Sequence, residues 1–200
     1  QRYKSFLAVI AILGLVFIFS GFVKAVDPLG TVYKIEDYLN AFGGFFLELV
    51  PYANIAAVSM IALEFILGVC MVFNVRTRWT SWLALVFYLV MTPLTWYIAK
   101  ENPVSDCGCF GDAIVISNWQ TFYKNVVLCI VLAIIALLQS QTRPWLSNFG
   151  ASIVTLIPIL ISFGISIYCY NLLPIIDFRP YKRGNNIIEG MQIPEDAPLD

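Results

Sequence analysis

Two cysteines separated by a single glycine, Cys107-Gly108-Cys109, are the residues of this chain whose type and spacing point to covalent chemistry. They lie in Asp106-Cys107-Gly108-Cys109-Phe110-Gly111-Asp112, between two long apolar blocks. A disulfide needs its Cα atoms about 5.5–6 Å apart, so a Cys-Gly-Cys segment must turn to close. Gly108 supplies the φ freedom for that turn, and Gly111 permits a second one just after it. A disulfide closed under such constraint is of the oxidising, exchangeable kind. Cys107 and Cys109 are therefore read as a reversible disulfide pair that carries the catalysis, with Gly108 and Gly111 shaping the loop. Two other readings stay open. The bond can be a structural pin, although so small a loop removes little unfolded-state entropy. The thiolates can instead hold Cu(I), which accepts two of them, although no methionine cluster or histidine stands nearby. Flanking charges pull in opposite directions. Asp106 and Asp112 raise thiol pKa values, whereas Lys100, Lys124 and the N-terminus of the following helix lower them.

Cys70, Cys129 and Cys169 lie singly in apolar blocks, where cysteine serves as a small hydrophobe. Cys169 sits near the end of the last block, and is a candidate third thiol exchanging with the pair. Glu64 falls in the middle of the second block, where an acid costs about 2.5–3.5 kcal/mol on insertion scales. It needs a partner or a proton. It reads as a proton carrier or quinone contact, or else as a hydrogen-bonded strut, with Asn54, Ser59, Thr92 and Asn125 as candidate partners. Asn125 stands one turn into the fourth block, in reach of a quinone or a loop carbonyl. The chain has no histidine, which excludes bis-His haem, a His-ligated zinc and a Ser-His-Asp triad.

The elements that position these residues follow from composition. Of 200 residues, 60% are hydrophobic and 12% charged, with a net charge of −1. Soluble domains are about 25% charged, so a water-soluble enzyme, a disordered chain and a basic nucleic-acid binder are all excluded. Five apolar blocks, Phe6–Val26, Ala53–Phe73, Trp79–Ala99, Phe122–Leu138 and Ile153–Tyr170, each suit a helix crossing a ~30 Å hydrocarbon core. Trp119 and Gln120 can extend the fourth. The first is too long for a signal-peptide core and has no cleavage site after it. Trp79, Trp82, Trp96, Trp119 and Trp145 fall near block ends, as an aromatic belt does. Pro93 is expected to kink the third span unless neighbours repair the backbone.

Basic residues without acids mark one set of short segments: Arg2 and Lys4, Arg76 and Arg78, and Arg143. The positive-inside rule then places the N-terminus in the cytoplasm, and the cysteine loop and C-terminus on the extracytoplasmic, oxidising side. Within Asp27 to Pro51, the residues Ile35, Tyr38, Leu39, Phe42 and Phe46 recur at helical spacing. They predict a helix lying in the membrane interface, with packing on the bundle as a lid as the alternative or in addition. Residues 173–200, with their prolines and glycines, read as an extended extracytoplasmic arm leading to a further domain. The fold class is thus all-α integral membrane, a five-transmembrane-helix bundle over residues 1–172 followed by that arm.

Cys107-Gly108-Cys109-Phe110-Gly111-Asp112 leading into the fourth span is similar to the MauE-type proteins of the DoxX-like superfamily. The run Leu63-Glu64-Phe65-Ile66-Leu67-Gly68 before the Arg76 and Arg78 turn resembles the DoxX pattern. Gly21 to Gly30 and Leu173 to Lys182 resemble a Bacteroidetes-type subgroup. The resemblance covers nearly the whole chain. It implies thiol or sulfur redox at a bacterial inner membrane, beside a thioredoxin-like or dithiol protein outside the cytoplasm. In this reading the protein relays electrons between that partner and the membrane, with a quinone as the acceptor and neither haem nor zinc involved. A rival reading is a non-enzymatic scaffold of a larger envelope complex, its disulfide structural. Cu(I) binding is the third.

Overall fold

The computed structural model describes residues 2–104, 107–138, 144–172 and 174–178, without the side chain of Arg2. Asp106, Arg143 and the chain from 179 onward lie outside the described residues, as does most of the predicted arm. The elements are α1 (Arg2–Val26), α2 (Pro28–Phe42), a 3₁₀ stretch (Gly44–Tyr52), α3 (Ala53–Val72), α4 (Thr77–Glu101), α5 (Asn118–Leu138) and α6 (Asn148–Asn171). Five helical segments, those built on α1, α3, α4, α5 and α6, are long and apolar enough to cross a membrane. The fourth begins at Asn118, so Trp119 and Gln120 do extend it.

Small residues set the closest helix pair. Gly14 and Gly68 face each other across α1 and α3, where an added Cβ on either meets the opposing backbone at 2.7 Å or less. A Cβ on Gly21 would stand 2.8 Å from the Phe65 backbone nitrogen. Such close approach is what small residues allow between helices in lipid. It lets Phe17, Leu67 and Met71 pack with Tyr88, Leu132 and Ile135 in one core spanning α1, α3, α4 and α5. α6 packs on α3 through Cys70, Val75 and Ala151. The outward faces are apolar as well: Leu83, Val90, Ile130, Leu137 and Leu160 are all exposed, as lipid-facing residues of spanning helices are. The five tryptophans are exposed too.

α2 is capped by the Asp27 side chain, which accepts from the Gly30 amide at 3.1 Å, with Pro28 in the first turn. That is ordinary N-terminal chemistry. The helix ends at Gly43, whose φ of 65° is followed by 55° at Gly44. One predicted helix across Asp27 to Pro51 is therefore two elements, and Phe46 falls in the 3₁₀ stretch beyond the break. Positive φ on consecutive glycines stops the helix where side-chain periodicity alone ran on. α2 lies on α3, with Val32 among Ala53 and Ala57, so it is a lid on the bundle. α4 runs unbroken through Pro93. The Thr92 and Thr95 hydroxyls donate to the carbonyls of Tyr88 and Met91, at 2.7 and 3.0 Å, around that proline.

Candidate functional site

The loop between α4 and α5 does not sit on top of the bundle; it dips into it. The Ser20 hydroxyl lies 2.9 Å from the carbonyl of Cys109. Ser20 is six residues short of the end of α1 at Val26, about 9 Å down the helix axis at 1.5 Å per residue. Irregular backbone at that depth is tolerated where protein buries it or where it lines a cavity, and both hold here. The Tyr38 hydroxyl of α2 donates to the Cys107 carbonyl at 2.7 Å. Gly108, at φ 63°, lies against the Lys34 side chain, and Gly111, at φ 52°, against Val23. Both glycines are in the left-handed region that their role in the loop requires. Two helices thus hold the segment by its carbonyls while its side chains face inward.

The sulfurs of Cys107 and Cys109 stand 3.0 Å apart, as two unbonded thiols. A disulfide would bring them to about 2.05 Å, a shift of side chains within one short turn. The two groups share protons unequally. Cys109 is lowered to about 6, first by the hydrogen bond from Cys107 and then by the charges of Lys124 and Lys24, against the cost of burial. Cys107 moves far upward, because its S–H donates to the sulfur of Cys109, because it is buried and because a negative neighbour stands beside it. Unequal sharing of this kind favours one thiolate beside one thiol, the arrangement thiol–disulfide exchange uses.

The positive charge beneath Cys109 comes from an ion pair between spans. Lys24 of α1 contacts Glu64 of α3 at 2.7 and 2.9 Å and Ser20 at 3.0 Å. Lys24 is 4% exposed and Glu64 5%. The Ser20 oxygen also lies 2.8 Å from Glu64, so its single proton serves Glu64 or the Cys109 carbonyl, one at a time. Glu64 thus has a cation as its partner. None of Asn54, Ser59, Thr92 and Asn125, the neutral groups weighed from sequence, fills that place. The signal was available: a lysine inside one span and an acid inside another each require a counter-charge. Lys124 lies over the Phe110 ring at 4.4 Å. Lys100 instead pairs with Glu101 at 3.5 Å on an exposed face.

Cys107, Gly108, Cys109, Glu64 and Asn125 all border one cavity of about 390 Å³. Its walls come from α1, α2, α3, α4 and α5, and are mostly apolar: Leu39, Phe42, Leu63, Phe87, Met91 and Leu94 among them. Asn125 is 2% exposed and donates to the Thr95 hydroxyl at 3.1 Å. Tyr38 and Lys34, which sequence reasoning left without a role at the cysteines, line the same space. Cys169 is buried in α6 and is not among the lining residues. Cys70 and Cys129 are packed in the bundle. Among the described residues, no group of three or more His, Cys, Asp and Glu is placed to hold a metal ion.

Neither a curated protein nor a solved structure matches the chain significantly. A family profile does: the one described as Methylamine utilisation protein MauE matches residues 3–139. That stretch contains the first four spans, α2, the cysteine loop and every residue that lines the cavity, and on this match the chain belongs to the MauE family of helical integral membrane proteins.

Proposed function

We propose that the protein is a thiol–disulfide redox component of the bacterial inner membrane. It relays electrons between an extracytoplasmic dithiol protein, such as a thioredoxin-like one, and the membrane. The observation that carries this reading is the two free cysteine sulfurs, 3.0 Å apart, in the wall of an intramembrane cavity. In the oxidised state, a thiolate of the partner attacks the Cys107–Cys109 disulfide and forms a mixed disulfide. The partner's second thiol then displaces it, which leaves the partner oxidised and Cys107 and Cys109 reduced. Two electrons and two protons have moved inward. Cys109 is the better leaving and attacking group, because its thiolate is held near Lys24 and Lys124. Arg76 and Arg78 lie at the far end of the bundle from the cysteine loop, which supports a cytoplasmic N-terminus and an extracytoplasmic loop.

The test is single-turnover exchange between the full chain in detergent and a reduced thioredoxin-type dithiol. Wild type converts its disulfide to two thiols, counted by alkylation and mass spectrometry. Cys107→Ser keeps the Cys109 thiolate, which opens the disulfide of the same partner in its oxidised form and holds it as a mixed disulfide on Cys109. A pair that neither exchanges nor traps a partner overturns the proposal.

A further inference from the structure

The cavity behind the cysteines has an opening that the exchange reaction does not use. Ala56 and Ser59 of α3 line it and are both exposed. They lie in the first two turns of α3, inside the apolar segment Gly44–Val72. An exposed face within a spanning segment meets acyl chains, so this mouth faces lipid, not water. From there the walls are Leu63, Phe87, Met91 and Leu94, with Tyr38 and Phe42 of α2 above. Cys109, Lys24 and Ser20 form one polar cluster in its wall, and Asn125 lines it as well. One amide N–H of Asn125 goes to Thr95, and an amide carries two. The volume of about 390 Å³ lies in the range of small-molecule sites, about 300–1,000 Å³.

We infer that this cavity admits a lipid-soluble quinone sideways from the bilayer, ring first, and seats it against Cys109 as the two-electron acceptor of the dithiol. The inference rests on the thiol-exchange reading and names where its electrons go. An occupant entering through Ala56 and Ser59 must dissolve in lipid, and one that relieves a dithiol of electrons must take two. A quinone meets both conditions. In the step, the Cys109 thiolate and the Cys107 thiol form their S–S bond and the Cys107 S–H bond breaks. The electron pair passes to the ring. The ring takes the Cys107 proton and one more from water at the loop, and leaves as the quinol. Thiol, thiolate, quinone and one proton give disulfide and quinol. In this inference the second N–H of Asn125, a lining residue, donates to a ring carbonyl, and the apolar mouth holds the tail.

The probe is decylubiquinone, added to the full chain in liposomes after the pair has been reduced with dithiothreitol and the excess removed. Quinone consumption at 275 nm, on the order of one per chain from the stoichiometry of one dithiol, should accompany loss of both alkylatable thiols. Ala56→Trp and Ser59→Trp, which fill the mouth, should slow it at least tenfold, whereas Leu83→Trp, exposed on α4 away from the cavity, should not. The same preparations are assayed for exchange with a dithiol protein. Exchange without quinone consumption overturns this inference and spares the exchange reading. Saturable quinone binding with neither consumption nor exchange overturns both. Equal rates in all three Trp variants refute the lateral entry, and co-purified phospholipid that decylubiquinone does not displace assigns the cavity to an acyl chain instead.

Discussion

Replacing Lys24 by Gln removes a buried charge from beneath Cys109 and should show directly in that thiol's reactivity. The thiol is lowered from an ordinary 9.0 to about 6 by the Cys107 hydrogen bond foremost, then by Lys124 and Lys24. The contacts of Lys24 to Ser20, 3.0 Å, and of Ser20 to the Cys109 carbonyl, 2.9 Å, bring the ammonium close to the loop. At an effective dielectric of about 20, a charge at such range shifts the thiol by on the order of one pKa unit or more. The midpoint for Cys109 should then rise from about 6 by about one unit or more, and its alkylation rate at pH 7 should fall about twofold or more with the thiolate fraction. The sign is fixed. The thiolate, and the reactivity with it, is present above the midpoint and lost as pH falls through it. The assay is the pH profile of iodoacetamide labelling of the reduced chain, resolved by mass spectrometry. Lys24→Arg keeps the charge and should keep the low midpoint, which separates charge from structure. A midpoint that stays at about 6 in Lys24→Gln, in a chain that remains folded, refutes the electrostatic reasoning. The same variant leaves Glu64 without its cation, a loss of about 3–5 kcal/mol for a buried pair, so its unfolding temperature should drop as well.

Gly68→Val should disrupt the bundle. Even a Cβ at this position stands 2.6 Å from the Ile18 backbone nitrogen. We expect a loss of about 3 kcal/mol or more and a Glu64 no longer held by Lys24, seen as lost thermal stability in detergent. Gly108→Ala places a side chain at φ 63° and 3.1 Å from Lys34. It should cost about 1–2 kcal/mol and slow disulfide closure, measured by the rate at which oxidised chain accumulates. Tyr38→Phe removes the 2.7 Å bond to the Cys107 carbonyl, worth about 1 kcal/mol. The loop should then open to proteolysis at lower temperature than in wild type.

The spans were legible because hydrophobicity over a membrane's width has one structural solution. Block boundaries such as Trp79–Ala99 sit inside the observed Thr77–Glu101. The cysteine motif was legible because its glycines have no other evident use, and both adopt positive φ. Its depth was not. A reactive loop at the bundle's mouth and one tucked about 9 Å below it have the same sequence pattern, and only the Ser20 and Tyr38 hydrogen bonds tell them apart. The Lys24–Glu64 pair was missed because lysine near the end of a span usually reaches for the interface. Here Ser20 and Glu64 hold it inside. The break at Gly43 was missed because Phe42 and Phe46 keep helical spacing across it, and their rings do meet, at 5.1 Å. Asn125 lines the cavity with the cysteines, whereas Cys169, read from the sequence as a candidate third thiol, is not among its lining residues.

The central claim is that Cys107 and Cys109 cycle between thiol and disulfide in the working protein. Its most direct test is a redox titration of the pair in membranes, by alkylation and mass spectrometry across defined thiol–disulfide buffers. The account predicts a midpoint between about −120 and −250 mV, in the range of exchange catalysts. A pair that stays oxidised below about −300 mV behaves as a structural disulfide and contradicts it, as does a pair that never closes.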